Sequence, residues 1–293
     1  MVVGLAPIDA WAVAAIFAKA LEYGTALLAI GGPLFIVIFR EAHEDVLRVA
    51  RAIAISAALL GVIVLASRFG IRSARISGMG IDGMTDKMML GLIWDSPLGS
   101  AAVMRGLGAL LVLAVAIDGT IASAVALIGS VLIAASYTQV GHSLGDPRSL
   151  LAGLLTLHLL AVGFWIAALA PLHRAARLEV GSDLLHRFGV VASVTVPVLL
   201  LVGLIFAWLM VGSLAALFTT AYGWVLLLKV TFFTGLLSLA ALNKLKLVPA
   251  LEHDTADAAF KLRRSIKAEG VFVLLILIAT ATLTSVTTPP VNI

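Results

Sequence analysis

The chain has 293 residues, of which 61% are hydrophobic and 12% are charged, and its mean hydropathy is +1.13. A soluble domain carries about 25% charged residues, so these values exclude a soluble enzyme, a nucleic-acid-binding protein and a disordered scaffold. The net charge is +4 and there is no cysteine. Disulfides, thiolate metal sites and cysteine nucleophiles are therefore excluded as well.

Eight apolar segments are each long enough to cross a bilayer, which takes about 20 residues. They are predicted at 8–39, 49–67, 99–117, 121–140, 150–172, 188–210, 222–242 and 269–287. The first segment has neither the basic start nor the small-residue cleavage site of a signal peptide, which favours a mature helix. The sequence thus predicts an all-α polytopic membrane protein, with residues 1–293 forming a single integral membrane domain.

Lysine and arginine are unevenly shared between the predicted connections. If the N-terminus lies outside, the inside loops hold twelve basic residues and the outside segments hold six. Because basic residues collect in cytoplasmic loops, both termini are predicted to lie outside. The cluster formed by Arg68, Arg72 and Arg75 opposes this orientation.

The long outside connection at 68–98 is rich in methionine and is predicted to contain an amphipathic helix. On one face of that helix stand Met84, Met88, Met89, Leu92 and Ile93. Met84 and Met88 are four residues apart, so their sulfurs are expected to converge. Thioether sulfur is a soft ligand that selects Cu(I). The alternative is that these methionines only fill irregular apolar contacts.

A weak internal repeat precedes the third and seventh spans. In each copy a serine or threonine is followed three residues later by glycine, and six residues beyond the glycine stands a basic residue. The two copies are Ser96, Gly99 and Arg105, and Thr220, Gly223 and Lys229. This pattern favours a parallel duplication of four plus four helices, with halves at 1–140 and 141–293.

Two histidines are candidates for chemistry on the outer side. His158 lies roughly 12 Å along the fifth span, at 1.5 Å per residue, and Trp165 follows two turns later on the same face. Ionisable side chains inside a span usually face the bundle interior. His142 ends the fourth span and is expected to approach His158. Paired neutral imidazoles suit a copper site or a proton path; the alternatives are a hydrogen bond between helices for His158 and a solvated loop position for His142.

Other charged residues also fall inside or at the ends of spans. Lys19 and Glu22 are expected to pair along the first helix. Arg105 and Lys229 are expected to snorkel outward, to neutralise buried carboxylates or to repel cations from a wrong route. Glu269 opens the last predicted span, as a solvated helix start or, alternatively, as one partner of an inner ion pair.

In the order of these residues the chain resembles the copper resistance protein D (CopD) family of bacterial inner-membrane proteins. The resemblance is best between 141 and 290 and extends more weakly to the first half through the eight-span plan. It is carried by Gly141-His142, the run from His158 to Trp165, Arg187-Phe188, the run from Thr220 to Lys229, Asn243, the run from Arg263 to Glu269, and Pro289-Pro290.

The resemblance implies a protein without enzymatic activity that moves copper across the cytoplasmic membrane, with uptake from the periplasm favoured and Cu(I) as the expected ion. Members often work with a small periplasmic copper-binding partner, CopC, which for this chain would be separate or absent. The periplasmic termini predicted from the basic residues agree with family members in which CopC is fused at the N-terminus. The predicted copper ligands are His142, His158, Met84 and Met88. Further functional roles are expected for Glu22, Trp165, Arg105 and Lys229. No phosphate-binding motif suggests that ATP drives transport.

Two other functions remain open from the sequence. A haem b electron-transfer protein would need two histidines at matching depth on facing helices, and only His158 lies well inside a span. A proton or cation channel, or an assembly scaffold, would instead use Lys19, Glu22 and Lys229.

Overall fold

The computed structural model describes residues 4–140, 148–178, 181–253 and 257–290. Within these residues eight helices are long and apolar enough to span a membrane. This confirms the predicted all-α polytopic membrane fold. An isolated bridge between Leu5 and Thr287 is the only β-type pairing among the described residues.

The helices follow one another with short connections. The first half contains α1 (Ala10–Ile38), α2 (Glu44–Ser77), α3 (Lys87–Trp94), α4 (Pro97–Val112) and α5 (Thr120–Ser136). The second half contains α6 (Arg148–Ala175), α7 (Gly181–Val211), α8 (Leu214–Thr219), α9 (Ala221–Leu242), α10 (Val248–Glu252) and α11 (Ala258–Leu283). Helices α3, α8 and α10 are too short to cross a bilayer, and the other eight helices form the bundle.

The two ends of the described chain meet at one end of the bundle. The Ala6 N–H donates to the carbonyl of Val286 at 2.8 Å, and the Thr288 N–H donates to that of Gly4 at 3.0 Å. We call this end of the bundle the N face and the other end the opposite face. Successive spans cross the bundle in opposite directions, and the first span begins at the N face. The second and sixth spans, α2 and α7, therefore end at the N face. The short helices α3 and α8, which follow α2 and α7, lie at this face as well.

Two helices extend beyond the predicted spans. Helix α2 continues to Ser77 and ends at Gly78, whose φ of 67° suits glycine and whose N–H donates to Ala74. The first ten residues of the predicted 68–98 outside loop are therefore helical, and its place outside the membrane stays a prediction. Helix α11 begins at Ala258, before the predicted start of the last span at 269. Its first turns are helical, but their basic residues kept them out of a span predicted from apolar residues.

Helices α1 and α6 pack against each other through glycine. A Cβ atom on Gly31 would lie 1.9 Å from the carbonyl oxygen of Gly163, so this site accepts no side chain. Small residues permit such close backbone contact in membrane bundles. Helix α1 also contacts α2, α5 and α11, which places α1 and α6 at the centre of the fold.

The two copies of the repeat form the same local structure. The Ser96 hydroxyl accepts from the Leu98 N–H at the start of α4, and the Thr220 hydroxyl accepts from the Gly223 N–H at the start of α9. Each cap follows a short helix, and a Cβ on Gly99 or Gly223 would collide with a carbonyl of that preceding segment. The division at 1–140 and 141–293 stays a prediction; the shared local structure supports it.

Candidate functional site

A buried ion-pair centre lies where α1, α2, α4 and α5 meet. Glu22 is 1% exposed, and each of its carboxylate oxygens pairs with one arginine, Arg68 or Arg105. Arg105 also donates to the Ser136 hydroxyl at 3.0 Å, and its guanidinium lies 3.9 Å from the ring centroid of Tyr137. We call this group the Glu22 centre. It links four helices through one carboxylate.

The predicted pair of Lys19 with Glu22 was wrong. The Lys19 ammonium instead donates to the Thr284 carbonyl at 2.7 Å, beside α11. Glu22 faces α2 and α4, where two guanidinium groups supply more hydrogen-bond donors than a single ammonium. Of the three roles considered for Arg105, the structure shows the neutralisation of a buried carboxylate.

Arg68 was missed as a partner because its position was assigned to a loop. Its signal in the sequence is the spacing of Arg68, Arg72 and Arg75, which places all three on one side of a continuing helix. Arg72 and Arg75 are exposed, whereas Arg68 is turned toward Glu22. A small cavity of about 20 Å³ adjoins Glu22 and Arg105, with room for about one water. The Glu22 centre is therefore closely packed, and the functional roles expected for Glu22 and Arg105 stay predictions.

His158 lies on α6 and is half-buried as a residue. Its Nδ1 atom is buried without a hydrogen-bond partner, and the side chain makes no hydrogen bond with any described residue. The alternative of a hydrogen bond between helices is therefore wrong for the described part of the chain. The ring keeps a nitrogen available for a ligand.

Trp165 lies on the same face of α6 as His158, two turns closer to the opposite face. It is buried in an apolar cluster with Leu199 of α7, Leu236 of α9 and Val273 of α11. This face of α6 therefore points toward the helices of the second half, and His158 lies at the N-face end of that cluster.

Lys229 of α9 lies within electrostatic range of the His158 imidazole. It forms no ion pair or hydrogen bond with a described residue. Lys229 occupies in the second half the repeat position that Arg105 occupies in the first half. The difference is that Arg105 pairs with a carboxylate, whereas Lys229 has no carboxylate partner among the described residues.

The methionines do not share one helix. Met84 lies in a short 3-10 turn, Asp82–Thr85, and Asp86 then caps α3 by accepting from the Met89 N–H at 2.7 Å. This cap starts a new helix between Met84 and Met88, so the expectation that their sulfurs converge along one helix was wrong. Met84 packs near Gly70 of α2, whereas Met88 is 71% exposed at the N face.

His142 falls in 141–147, outside the described residues, so its approach to His158 stays a prediction. Within the described ranges no group of three or more His, Asp or Glu side chains is arranged to hold a metal ion. Of the predicted copper ligands, His158, Met84 and Met88 lie within the described residues, and each of them is on a different element.

Glu269 is buried rather than solvated. It is 4% exposed, and the Asn243 side-chain N–H donates to its Oε1 at 2.5 Å. It forms no ion pair with a described residue, so neither the solvated start nor the inner ion pair was right. Asn243 opens a π-helical turn, Asn243–Leu247, between α9 and α10. Such turns are rare and often mark functional positions.

Two protein-family models match the chain. The model described as Copper resistance protein D-like, N-terminal domain, matches residues 8–147, and the model described as Copper resistance protein D matches residues 182–283. The chain belongs to the copper resistance protein D family. Comparisons with curated proteins and with solved structures gave no significant match.

Membership of the copper resistance protein D family identifies a multi-pass membrane protein related to copper resistance and transport. The N-terminal model covers the Glu22 centre together with Met84 and Met88. The second model covers Lys229, Asn243 and Glu269. The described part of α6, with His158 and Trp165, lies between the two matched regions. The family match therefore supports the involvement of copper but assigns no ligand.

Proposed function

We propose that this protein carries copper, as Cu(I), across the bacterial cytoplasmic membrane in the direction of uptake. The observation that carries the proposal is the His158 side chain, whose buried Nδ1 has no hydrogen-bond partner among the described residues. A neutral imidazole is a common ligand for copper. A buried ligand atom without such a partner inside a span is suited to transient binding of a passing ion.

The proposal places the N face in the periplasm, with both termini there. This orientation follows the basic-residue count of twelve against six. Arg68, one of the charges that opposed it, is paired with Glu22 and is only 24% exposed. Its charge therefore counts less toward the periplasmic side than the sequence suggested.

Copper enters this route at the N face. Met88 presents an exposed thioether there, and a separate periplasmic CopC-like protein delivers the ion. From Met88, with Met84 and His142 as further ligands, copper passes to His158 inside the bundle. Copper is the cargo in this proposal, and the protein catalyses no chemical conversion.

Replacing His158 with alanine is expected to reduce copper accumulation by cells to the level of cells without the protein. The variant removes the buried imidazole nitrogen and leaves the surrounding apolar packing of Trp165 intact. Cellular copper by mass spectrometry, together with the amount of protein in the membrane, checks this result. Metal content and the visible spectrum of the purified protein are measured on the same variant.

His173→Ala is the matched control, because His173 lies on the same helix in its last turn at the opposite face. It is expected to leave accumulation unchanged. Copper accumulation by His158→Ala at the wild-type level contradicts the proposal. A Soret band in the wild-type protein that disappears in His158→Ala replaces it with the haem function.

Lys229 is expected to limit how long copper stays at His158. A positive charge near the ion opposes its retention, which suits transfer rather than storage. Lys229→Leu, which removes the charge without adding a copper ligand, is therefore expected to raise the copper retained per purified protein several-fold. Lys246→Leu changes an exposed lysine beyond α9 and is the control. Equal or lower retention in Lys229→Leu shows that Lys229 has another role.

A further inference from the structure

A second buried carboxylate, Glu269, is held differently from Glu22. Glu22 meets two guanidinium groups, whereas Glu269 has an amide N–H of Asn243 as its hydrogen-bond partner and no cation within the described chain. A buried charge without a cation or several hydrogen bonds is strongly unfavourable. The surroundings of Glu269 therefore favour the neutral carboxylic acid.

The unpaired side-chain oxygen of Asn243, beside Glu269, points the same way. The side-chain carbonyl oxygen of Asn243 and the hydroxyl of Ser265 are both buried without a hydrogen-bond partner, and both residues are more than nine-tenths buried. An ionised carboxylate only accepts hydrogen bonds, whereas the protonated acid carries one O–H donor. That O–H can donate to the Asn243 carbonyl oxygen while the Asn243 N–H donates to Glu269. Protonation thus supplies the donor that the amide oxygen lacks.

We propose that Glu269 is a proton-binding site of the bundle, at which one proton is taken up by the carboxylate and held between Glu269 and Asn243. Ser265 lies one turn closer to the start of α11 on the same face, so its hydroxyl stands between Glu269 and the opposite face. The proton exchanges with water at that face. This site is independent of copper and of His158.

No charged side chain on the elements that pack around Glu269 pairs with its carboxylate in place of a proton, within the described residues. On α11 itself, Arg264 and Lys267 are exposed and Arg263 is half-buried. After α9, Lys244 donates to Ser193 of α7, and Lys246 is exposed. On α10, Glu252 pairs with His186. On α6, His173 and Arg174 lie near its end, and Arg174 pairs with Asp45. The part of α1 between Gly24 and Ile38 has no titratable residue.

The test is the infrared absorption of a protonated carboxyl group in the purified full-length protein from mildly acidic to alkaline pH. Wild type is expected to show a buried carbonyl stretch of a carboxylic acid that disappears reversibly as the pH rises. Glu269→Gln is expected to lose this band at every pH. Glu44→Gln, which changes an exposed carboxylate paired with Arg48, is the matched control and is expected to keep it.

Thermal unfolding of the same proteins provides a second readout. Glutamine mimics the protonated acid, because its N–H₂ can donate to the Asn243 oxygen, so the midpoint of Glu269→Gln is expected to match wild type. A band that is absent from wild type at every pH, or unchanged in Glu269→Gln, overturns the proposal. Loss of the band on adding sodium at constant pH also overturns it, in favour of a metal-cation site.

Discussion

Glu22→Gln is expected to lower the free energy of unfolding by about 3–5 kcal/mol, the range for removing one partner of a buried ion pair. The substitution leaves the guanidinium groups of Arg68 and Arg105 in the bundle without a counter-charge. Since native proteins are stable by about 5–15 kcal/mol in total, this loss is large. Unfolding in detergent micelles with increasing denaturing detergent, followed by helix content, measures it.

The control for this prediction is Glu44→Gln. Glu44 pairs with Arg48 on the surface, where both side chains are largely exposed, and such a pair contributes about 0–1 kcal/mol. A triple variant with Glu22→Leu, Arg68→Met and Arg105→Met is expected to recover much of the lost stability, because it removes all three charges together. If Glu22→Gln unfolds with wild-type stability, the Glu22 centre does not hold the four helices together.

Gly31→Ala is expected to have the second large effect. Its Cβ would lie 1.9 Å from the Gly163 carbonyl oxygen and 2.6 Å from the Ala167 Cβ, so α1 and α6 must separate. Overpacking by one methyl group usually destabilises by about 1–3 kcal/mol, and more where a rigid backbone is struck. The amount of folded monodisperse protein after detergent extraction and its thermal midpoint are both expected to fall.

Gly24→Ala provides a matched control on the same helix. A Cβ at Gly24 would lie 3.5 Å from the Leu277 side chain, which is an ordinary contact. Alanine is also the better helix former, so this variant is expected to be as stable as wild type or slightly more stable. Similar losses in both variants would place the cause in α1 itself rather than in its contact with α6.

The sequence predicted the features of this fold that depend on local composition. Eight spans follow from eight runs of apolar residues, and the shared face of His158 and Trp165 follows from their spacing of two helical turns. The prediction failed where one residue redirects the backbone. Asp86 caps α3 and so separates Met84 from Met88. The spacing of apolar residues in this segment predicted one continuous helix and gave no sign of this break.

Partners far apart in the chain were also beyond sequence reasoning. Glu22 and Arg105 are separated by 83 positions, and hydropathy treats each of them only as an unfavourable residue in a span. Their pairing makes both tolerable, and Arg68 on α2 supplies the second partner of Glu22. Asn243 and Glu269 were noticed as separate residues, but only the π-helical turn after α9 brings them together.

The pairing of Leu5 with Thr287 has a topological consequence. Because the described ends of the chain meet at the N face, the polypeptide traces an almost closed ring through the bundle. A short linker between these ends, with a new break between α5 and α6, would give a circular permutant in which the second half precedes the first. Every helix would keep its neighbours. The order in which the halves are encoded is therefore separable from the arrangement in which they pack.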